Sequence, residues 1–146
     1  TDFDNAAYWD TGTESYKAYD RNYEITAGDK PSILGSSDPA FLGDATRWTP
    51  EDLLVASASA CHTLWYLNIC AEAGISVCIY IDRAEGNMRE GEKGCFPEII
   101  LKPEITIRPG DDIKRALDLH HRAHELCFIA NSLNFPITCQ PVITQM

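Results

Sequence analysis

The chain has 146 residues, a length that fits one domain covering residues 1–146, and 45% of them are hydrophobic, enough to build a core. Its formal net charge of −10 excludes the basic surface that nucleic acids or anionic membranes require. No uninterrupted apolar run reaches the roughly 20 residues of a membrane span, and the polar, acidic residues 1–10 do not resemble a signal peptide, so we expect a cytoplasmic protein.

The first half of the chain predicts a strand, a loop and a long helix. Tyr16–Ala27 has the alternation and the aromatic content of a strand, whereas residues 28–44 are rich in Gly, Pro, Ser and Asp and predict a loop. Thr49 and Pro50 mark a helix start, with Thr as N-cap and Pro in the first turn. The helix should end near Gly74. Because it is apolar on nearly every face, we expect it to be buried in the core.

The second half predicts strands around a second helix. Val77–Met88 predicts a strand and a turn, and Pro97–Arg108 predicts a strand in which Pro103 marks a bend or an edge. A pair of aspartates then opens a helix over about Ile113–Leu126, and Phe135–Val142 predicts the last strand. This order of elements predicts an α+β fold in which two helices pack against antiparallel sheet.

The chain has six cysteines, which an extracellular mini-protein would use as a disulfide framework. In a chain of this size without a signal peptide, free thiols in a reducing compartment are the better expectation. Cys61 lies midway along the predicted buried helix, and Cys127 lies where the second helix ends. On composition alone both are more simply explained as core thiols, since free cysteine is among the most buried residue types.

Two motifs and their spacing resemble the OsmC/Ohr family. That family has a Pro-Glu-x-Leu helix start, here at residues 50–53, a cysteine ten residues after the Glu, and a second cysteine about 65 residues later. In this chain Glu51 and Cys61 are ten residues apart, and Cys61 and Cys127 are sixty-six apart. The resemblance extends from about Tyr16 to the end. It implies an OsmC-like fold, with antiparallel sheets packed around two long central helices in an intertwined homodimer.

The resemblance also implies a function, the reduction of organic hydroperoxides to alcohols without a bound cofactor or metal. It implies that Cys61 is the peroxidatic and Cys127 the resolving cysteine, that Glu51 is an acidic partner, and that an arginine lies near the thiolate. Arginine suits this role because it is always charged, whereas a mid-helix thiol gains nothing from the helix dipole. We favour Arg21 for it, with Arg47 as second choice. The implied reductant is a dithiol of the lipoyl type.

Helix geometry adds an inference about the acidic residue. Ten residues of helix span about 15 Å, so Glu51 cannot touch the Cys61 of its own helix. If Glu51 serves such a site, it serves that of a partner subunit; otherwise it is a first-turn acid that the helix dipole favours.

His62 is a candidate proton donor to the leaving alkoxide, although adjacent helical residues point about 100° apart. Four aromatic residues are candidates for a substrate pocket: Trp48, Trp65, Tyr66 and Phe128.

Two other functions stay open. The first is a zinc site, since imidazole and thiolate groups are zinc ligands, although no Cys-x-x-Cys or His-Glu-x-x-His motif is present. Its candidate ligands are His62, His120, His121 and His124, with Cys61 and Cys127. The second is a catalytically silent protein of the same fold that binds a hydrophobic small molecule between its helices.

Overall fold

The computed structural model describes residues 1–10 and 12–146, and the chain divides into two compact units, Thr1–Leu53 and Leu54–Met146. The first unit contains an antiparallel sheet of order β1-β2-β3. Its strands are β1 (Asp4–Ala6), β2 (Tyr23–Thr26) and β3 (Ile33–Gly35), and a single 3-10 turn follows at Pro39–Phe41.

The strand predicted over Tyr16–Ala27 is therefore confirmed only for its last part, and the predicted loop contains β3. In β3, the close approach of the neighbouring strand requires glycine at residue 35. Gly35 pairs with Tyr23 across the sheet, and a Cβ on residue 35 would collide with the Tyr23 ring. Glycine at this position thus serves packing and not a turn.

Helix α1 (Pro50–Glu72) begins and ends where the sequence predicts. The amide of Thr49 donates to Asp52 Oδ2 and the amide of Asp52 donates to Thr49 Oγ1, each at 3.0 Å, which forms a reciprocal cap at the helix start. Beyond its end, Gly74 has a φ of 74°, the left-handed conformation that stops helices. The later elements are β4 (Val77–Asp82), β5 (Glu85–Gly86), β6 (Ile99–Leu101), β7 (Pro103–Ile107), α2 (Ile113–Leu126), α3 (Phe128–Ser132), β8 (Ile137–Cys139) and β9 (Val142–Gln145).

The second unit contains two further sheets, of order β4-β7-β9 and β5-β6-β8. Two of the places where the chain changes sheet, between β6 and β7 and between β8 and β9, lie beside Pro103 and Pro141. Proline cannot donate to a strand ladder, so each proline favours a break in what the sequence suggested was one strand. The α+β class is confirmed. The sheets of this unit are mixed, because β6–β8 and β7–β9 are parallel while β4–β7 and β5–β6 are antiparallel.

Helix α1 buries one side and leaves another exposed. Its buried residues repeat at helical spacing along one stripe: Ala58, His62, Tyr66, Ile69 and Cys70. On another side, Leu64 is 70% exposed and Leu67 is 36% exposed. The expectation that this helix is buried all round is therefore wrong for the single chain, because sheet and helix cover only the buried stripe. By length and composition α1 could cross a membrane, but core helices of soluble proteins have the same property.

Candidate functional site

The fold brings Cys61 and Cys127 together. Cys61 is half-buried on α1, and Cys127 is 1% exposed at the break between α2 and α3. Burial raises the pKa of the Cys127 thiol, and the neighbouring Cys61 thiol also raises it, while the backbone N–H of Ala130 acts in the opposite direction. Two residues sixty-six positions apart thus form one pair of adjacent free thiols.

The break in the second helix positions the Cys127 thiol. Helix α2 ends at Leu126, and Cys127 has an extended backbone, with φ −67° and ψ 111°. Its sulfur then accepts a hydrogen bond from the Ala130 amide at 3.4 Å and so caps the short helix α3. The side-chain amide of Asn131 donates back to the Glu125 carbonyl at 3.0 Å, which holds the two helices across the break.

An open groove of about 420 Å³ lies on the Cys61 side of the pair. It is lined by Cys61, Leu64, Trp65, Asn68 and Phe128. The rings of Trp65 and Phe128 meet edge to face, with centroids 5.5 Å apart. Of the two thiols, Cys61 is therefore the one that a molecule in the groove reaches, whereas Cys127 is almost fully enclosed.

Only two of the four aromatic residues considered for a pocket line this groove. Trp65 and Phe128 do so, but Tyr66 is fully buried in the core and donates a hydrogen bond to the Ala116 carbonyl at 2.9 Å. Trp48 belongs to the other unit, where it is 54% exposed. Helical spacing explains the difference on α1, since residues 61, 64, 65 and 68 share one side of the helix.

The candidate charged partners lie in the first unit. The Arg21 guanidinium donates to the carbonyl groups of Tyr16 and Tyr19 and lies over both rings, 4.7 Å and 3.7 Å from their centroids. Arg47 forms an ion pair at 3.8 Å with the aspartate three residues before it. Glu51 is half-buried in the first turn of α1. The roles of Arg21 and Glu51 at the thiol pair stay predictions.

A second cluster of reactive side chains lies in the second unit. The Nε2 of His62 and the Nδ1 of His120 are 3.0 Å apart, and the Cys139 sulfur is 3.8 Å and 3.7 Å from them. Burial lowers the pKa of His62 to about 4 and of His120 to about 3, and burial raises the pKa of Cys139 to about 12. At neutral pH this cluster is two uncharged imidazoles and a thiol.

This cluster differs from the zinc ligand set considered from the sequence. His62 and His120 belong to both, but His121 and His124 are exposed, and the third member is Cys139. Cys139 lies in a strand with no metal-binding motif around it, so only the fold could reveal it. His62 is also not among the groove-lining residues, because it points into the core.

The fold and the site together define a class: α+β proteins in which a cysteine on a long helix meets a second cysteine at the break of a later helix. The model of the OsmC-like protein family matches residues 43–141, which is more than half of the chain. The chain belongs to the OsmC-like family. No curated protein matches it.

Solved structures agree with this assignment. An OsmC-like protein of unknown function from Vibrio cholerae is 25% identical, with a TM-score of 0.83, and the match covers 97% of this chain and 99% of that one. An organic hydroperoxide resistance protein from Elizabethkingia anophelis is 22% identical, with a TM-score of 0.63 and coverage of 86% and 90%. An organic hydroperoxide resistance protein, OsmC, from Legionella pneumophila is 18% identical, with a TM-score of 0.66 and coverage of 99% and 97%. At these identities the last two show the shared fold.

Proposed function

We propose that this protein is a cytoplasmic thiol peroxidase that reduces organic hydroperoxides to alcohols with Cys61 and Cys127. The observation that carries the proposal is the thiol pair itself, one member open to an apolar groove and the other enclosed beside it. The names of the Elizabethkingia and Legionella proteins, organic hydroperoxide resistance proteins of this fold, support the same substrate class.

In the first step the Cys61 thiolate attacks the terminal oxygen of the hydroperoxide. The S–O bond forms, the O–O bond breaks, and the alkoxide takes up a proton and leaves as the alcohol. Sulfur is oxidised to the sulfenic acid and the peroxide is reduced. The groove beside Cys61 suits an organic group, because Leu64, Trp65 and Phe128 present apolar surface to it.

In the second step Cys127 attacks the Cys61 sulfenic sulfur. The S–S bond forms, the S–O bond breaks, and the hydroxyl leaves as water with the proton of the second thiol. The enclosure of Cys127 supports this order, because an enclosed thiol meets Cys61 more readily than it meets a peroxide. A dithiol of the lipoyl type then restores both thiols by disulfide exchange and is itself oxidised to a disulfide.

We further propose that the active form is a homodimer in which Arg21 stabilises the Cys61 thiolate and Glu51 serves the partner subunit's site. The exposed apolar surface formed by Leu64 of α1 and Phe128 of α3 supports a dimer, since both side chains would gain by being covered. The continuous helix supports the exchange of Glu51, because its ten-residue separation from Cys61 is about 15 Å along the axis.

The test is to add one equivalent of cumene hydroperoxide to the reduced protein and to map thiols and disulfides by mass spectrometry. We expect a Cys61–Cys127 disulfide within seconds in the wild type, and no oxidation of Cys127 in the Cys61→Ser variant. The matched controls are Cys70→Ser, which alters a buried thiol outside the pair, and Cys78→Ser, which alters an exposed one. Both controls should react like the wild type. Oxidation scattered over all six cysteines, or full activity of Cys61→Ser, would exclude this mechanism.

A further inference from the structure

We propose that His62, His120 and Cys139 form a zinc site that is separate from the Cys61–Cys127 pair. These side chains come from α1, α2 and β8, and their ligand atoms all lie within 4.8 Å of one another. Two imidazoles and one thiolate are ligands that zinc prefers. The site requires nothing from the peroxidase reaction, so evidence against that reaction would not exclude a zinc site.

The distances between the donor atoms fit a zinc ion. Bonds of about 2.0–2.1 Å to nitrogen and 2.3 Å to sulfur place tetrahedral ligand atoms roughly 3.3–3.6 Å apart. The three observed separations are 3.0, 3.7 and 3.8 Å. Each donor atom therefore needs to move by only a few tenths of an ångström, with a turn of the two rings so that both nitrogens point at the metal.

Without a metal, the cluster makes few hydrogen bonds for the polar atoms that it buries. His62 is 2% and His120 4% exposed, so their facing nitrogens are shielded from water. The imidazole pair can make only one N–H···N hydrogen bond between its two facing nitrogens. Burying two histidines and a thiol together for that one bond is costly, whereas a metal ion would use all three groups.

The charge of the surroundings favours a divalent ion. Burial dominates the pKa values of His62 and Cys139, and the Asp82 carboxylate lies close enough to raise both. Asp82 is held in place by the Ser59 hydroxyl at 2.5 Å and the Lys102 amide at 2.7 Å. A Zn²⁺ ion, one thiolate and this carboxylate sum to zero charge, whereas Cu⁺ would leave one negative charge uncompensated. Binding would release the proton of the Cys139 thiol.

A zinc ion at this site would link α1, α2 and β8 on the core-facing side of α1. His62 follows Cys61 on α1, but the two side chains point about 100° apart, one into the core and the other to the groove. Three protein ligands leave one coordination position for water. We expect the ion to stabilise the fold by binding the native state and not the unfolded one.

The test uses the full chain with Cys61, Cys78, Cys95 and Cys127 all changed to Ser, so that among the cysteines only Cys70 and Cys139 remain. This protein has no peroxidatic pair, which separates the metal question from the proposed function. After EDTA treatment and dialysis it is titrated with ZnCl₂, and with CoCl₂ as a spectroscopic probe. We expect one ion per chain, a cobalt–thiolate charge-transfer band, and a higher Tm with zinc.

Matched variants identify the ligands. Adding Cys139→Ser to this background should abolish the cobalt–thiolate band and weaken zinc binding at least 100-fold, whereas adding Cys70→Ser should change neither. His120→Gln should weaken binding to a similar degree, and its folding is checked by circular dichroism without metal. If the background protein binds no zinc, or if the band survives Cys139→Ser and disappears with Cys70→Ser, the proposal is wrong. In a parallel titration, binding of Cu⁺ but not of Zn²⁺ would also overturn the assignment to zinc.

Discussion

Replacing Cys127 by Ser separates the first chemical step from the second. The substitution leaves Cys61 and the groove residues unchanged, so the attack on the hydroperoxide should proceed. The sulfenic acid then has no neighbouring thiol to attack it, because serine is not a nucleophile toward it. We expect a fast burst of one alcohol per chain, followed only by a slower release of one alcohol for each further oxygen that over-oxidation adds to Cys61, whereas the wild type with a lipoyl-type dithiol should turn over many times.

The structure indicates that this variant will fold. The Cys127 sulfur caps α3 by accepting the Ala130 amide at 3.4 Å, and serine is among the best residues at such a cap. The free energy of unfolding should therefore stay within about 1 kcal/mol of the wild type. Cys127→Ala lacks any acceptor and should lose about 1 kcal/mol more than Cys127→Ser does, which chemical denaturation measures.

The assay counts alcohol released per chain in the first seconds and identifies the oxidised residue by mass spectrometry. With excess cumene hydroperoxide, Cys61 of Cys127→Ser should gain two or three oxygen atoms, because nothing intercepts the sulfenic acid. Sustained turnover by Cys127→Ser at the wild-type rate would refute the resolving role of Cys127. Absence of any burst, in a variant with wild-type stability, would refute the order of the two thiols.

Three further predictions follow from individual contacts. Phe128→Ala should raise KM for cumene hydroperoxide about 5-fold, since the Phe128 ring lines the groove and losing its apolar contact with the substrate costs about 1 kcal/mol, and steady-state kinetics should show a smaller effect with tert-butyl hydroperoxide. Tyr66→Phe should reduce the free energy of unfolding by about 1–2 kcal/mol, because the buried Ala116 carbonyl loses its side-chain donor; urea denaturation measures this. Arg21→Ala should lower kcat/KM by about 10- to 100-fold if its charge stabilises the thiolate, whereas Arg47→Ala should have little effect; the reverse result would assign the role to Arg47.

Helix bounds could be predicted from the sequence because they depend on local chemistry. The cap formed by Thr49 and Asp52 and the left-handed Gly74 are local features, and they set α1 to within two residues. The spacing of Cys61 and Cys127 could also be read from the sequence, and the fold makes the two thiols neighbours.

Strand partners and the histidine cluster could not be predicted in this way. The breaks near Pro103 and Pro141 divide the predicted strands between two sheets, and the parallel pairings depend on contacts far apart in sequence. His62 and Cys139 are seventy-seven residues apart, and no motif links them. Such contacts arise from topology, which a single sequence does not encode in any local pattern.

The uniform apolarity of α1 follows from two different environments along one helix. The buried stripe packs in the core of the second unit, while Cys61, Leu64 and Trp65 line the groove on another side. If a second copy of the chain covers this side, Leu64→Glu places a charge in an apolar interface and should weaken dimerisation at least 100-fold, from a cost of roughly 3 kcal/mol.

Light scattering after size-exclusion chromatography tests this prediction. Gln140→Glu is the matched control, because it adds one negative charge at an exposed polar position. We expect wild type and Gln140→Glu to elute as dimers and Leu64→Glu to elute as a monomer. A monomeric wild type, or a Leu64→Glu variant that stays dimeric, would show that the apolar side of α1 is not a dimer interface.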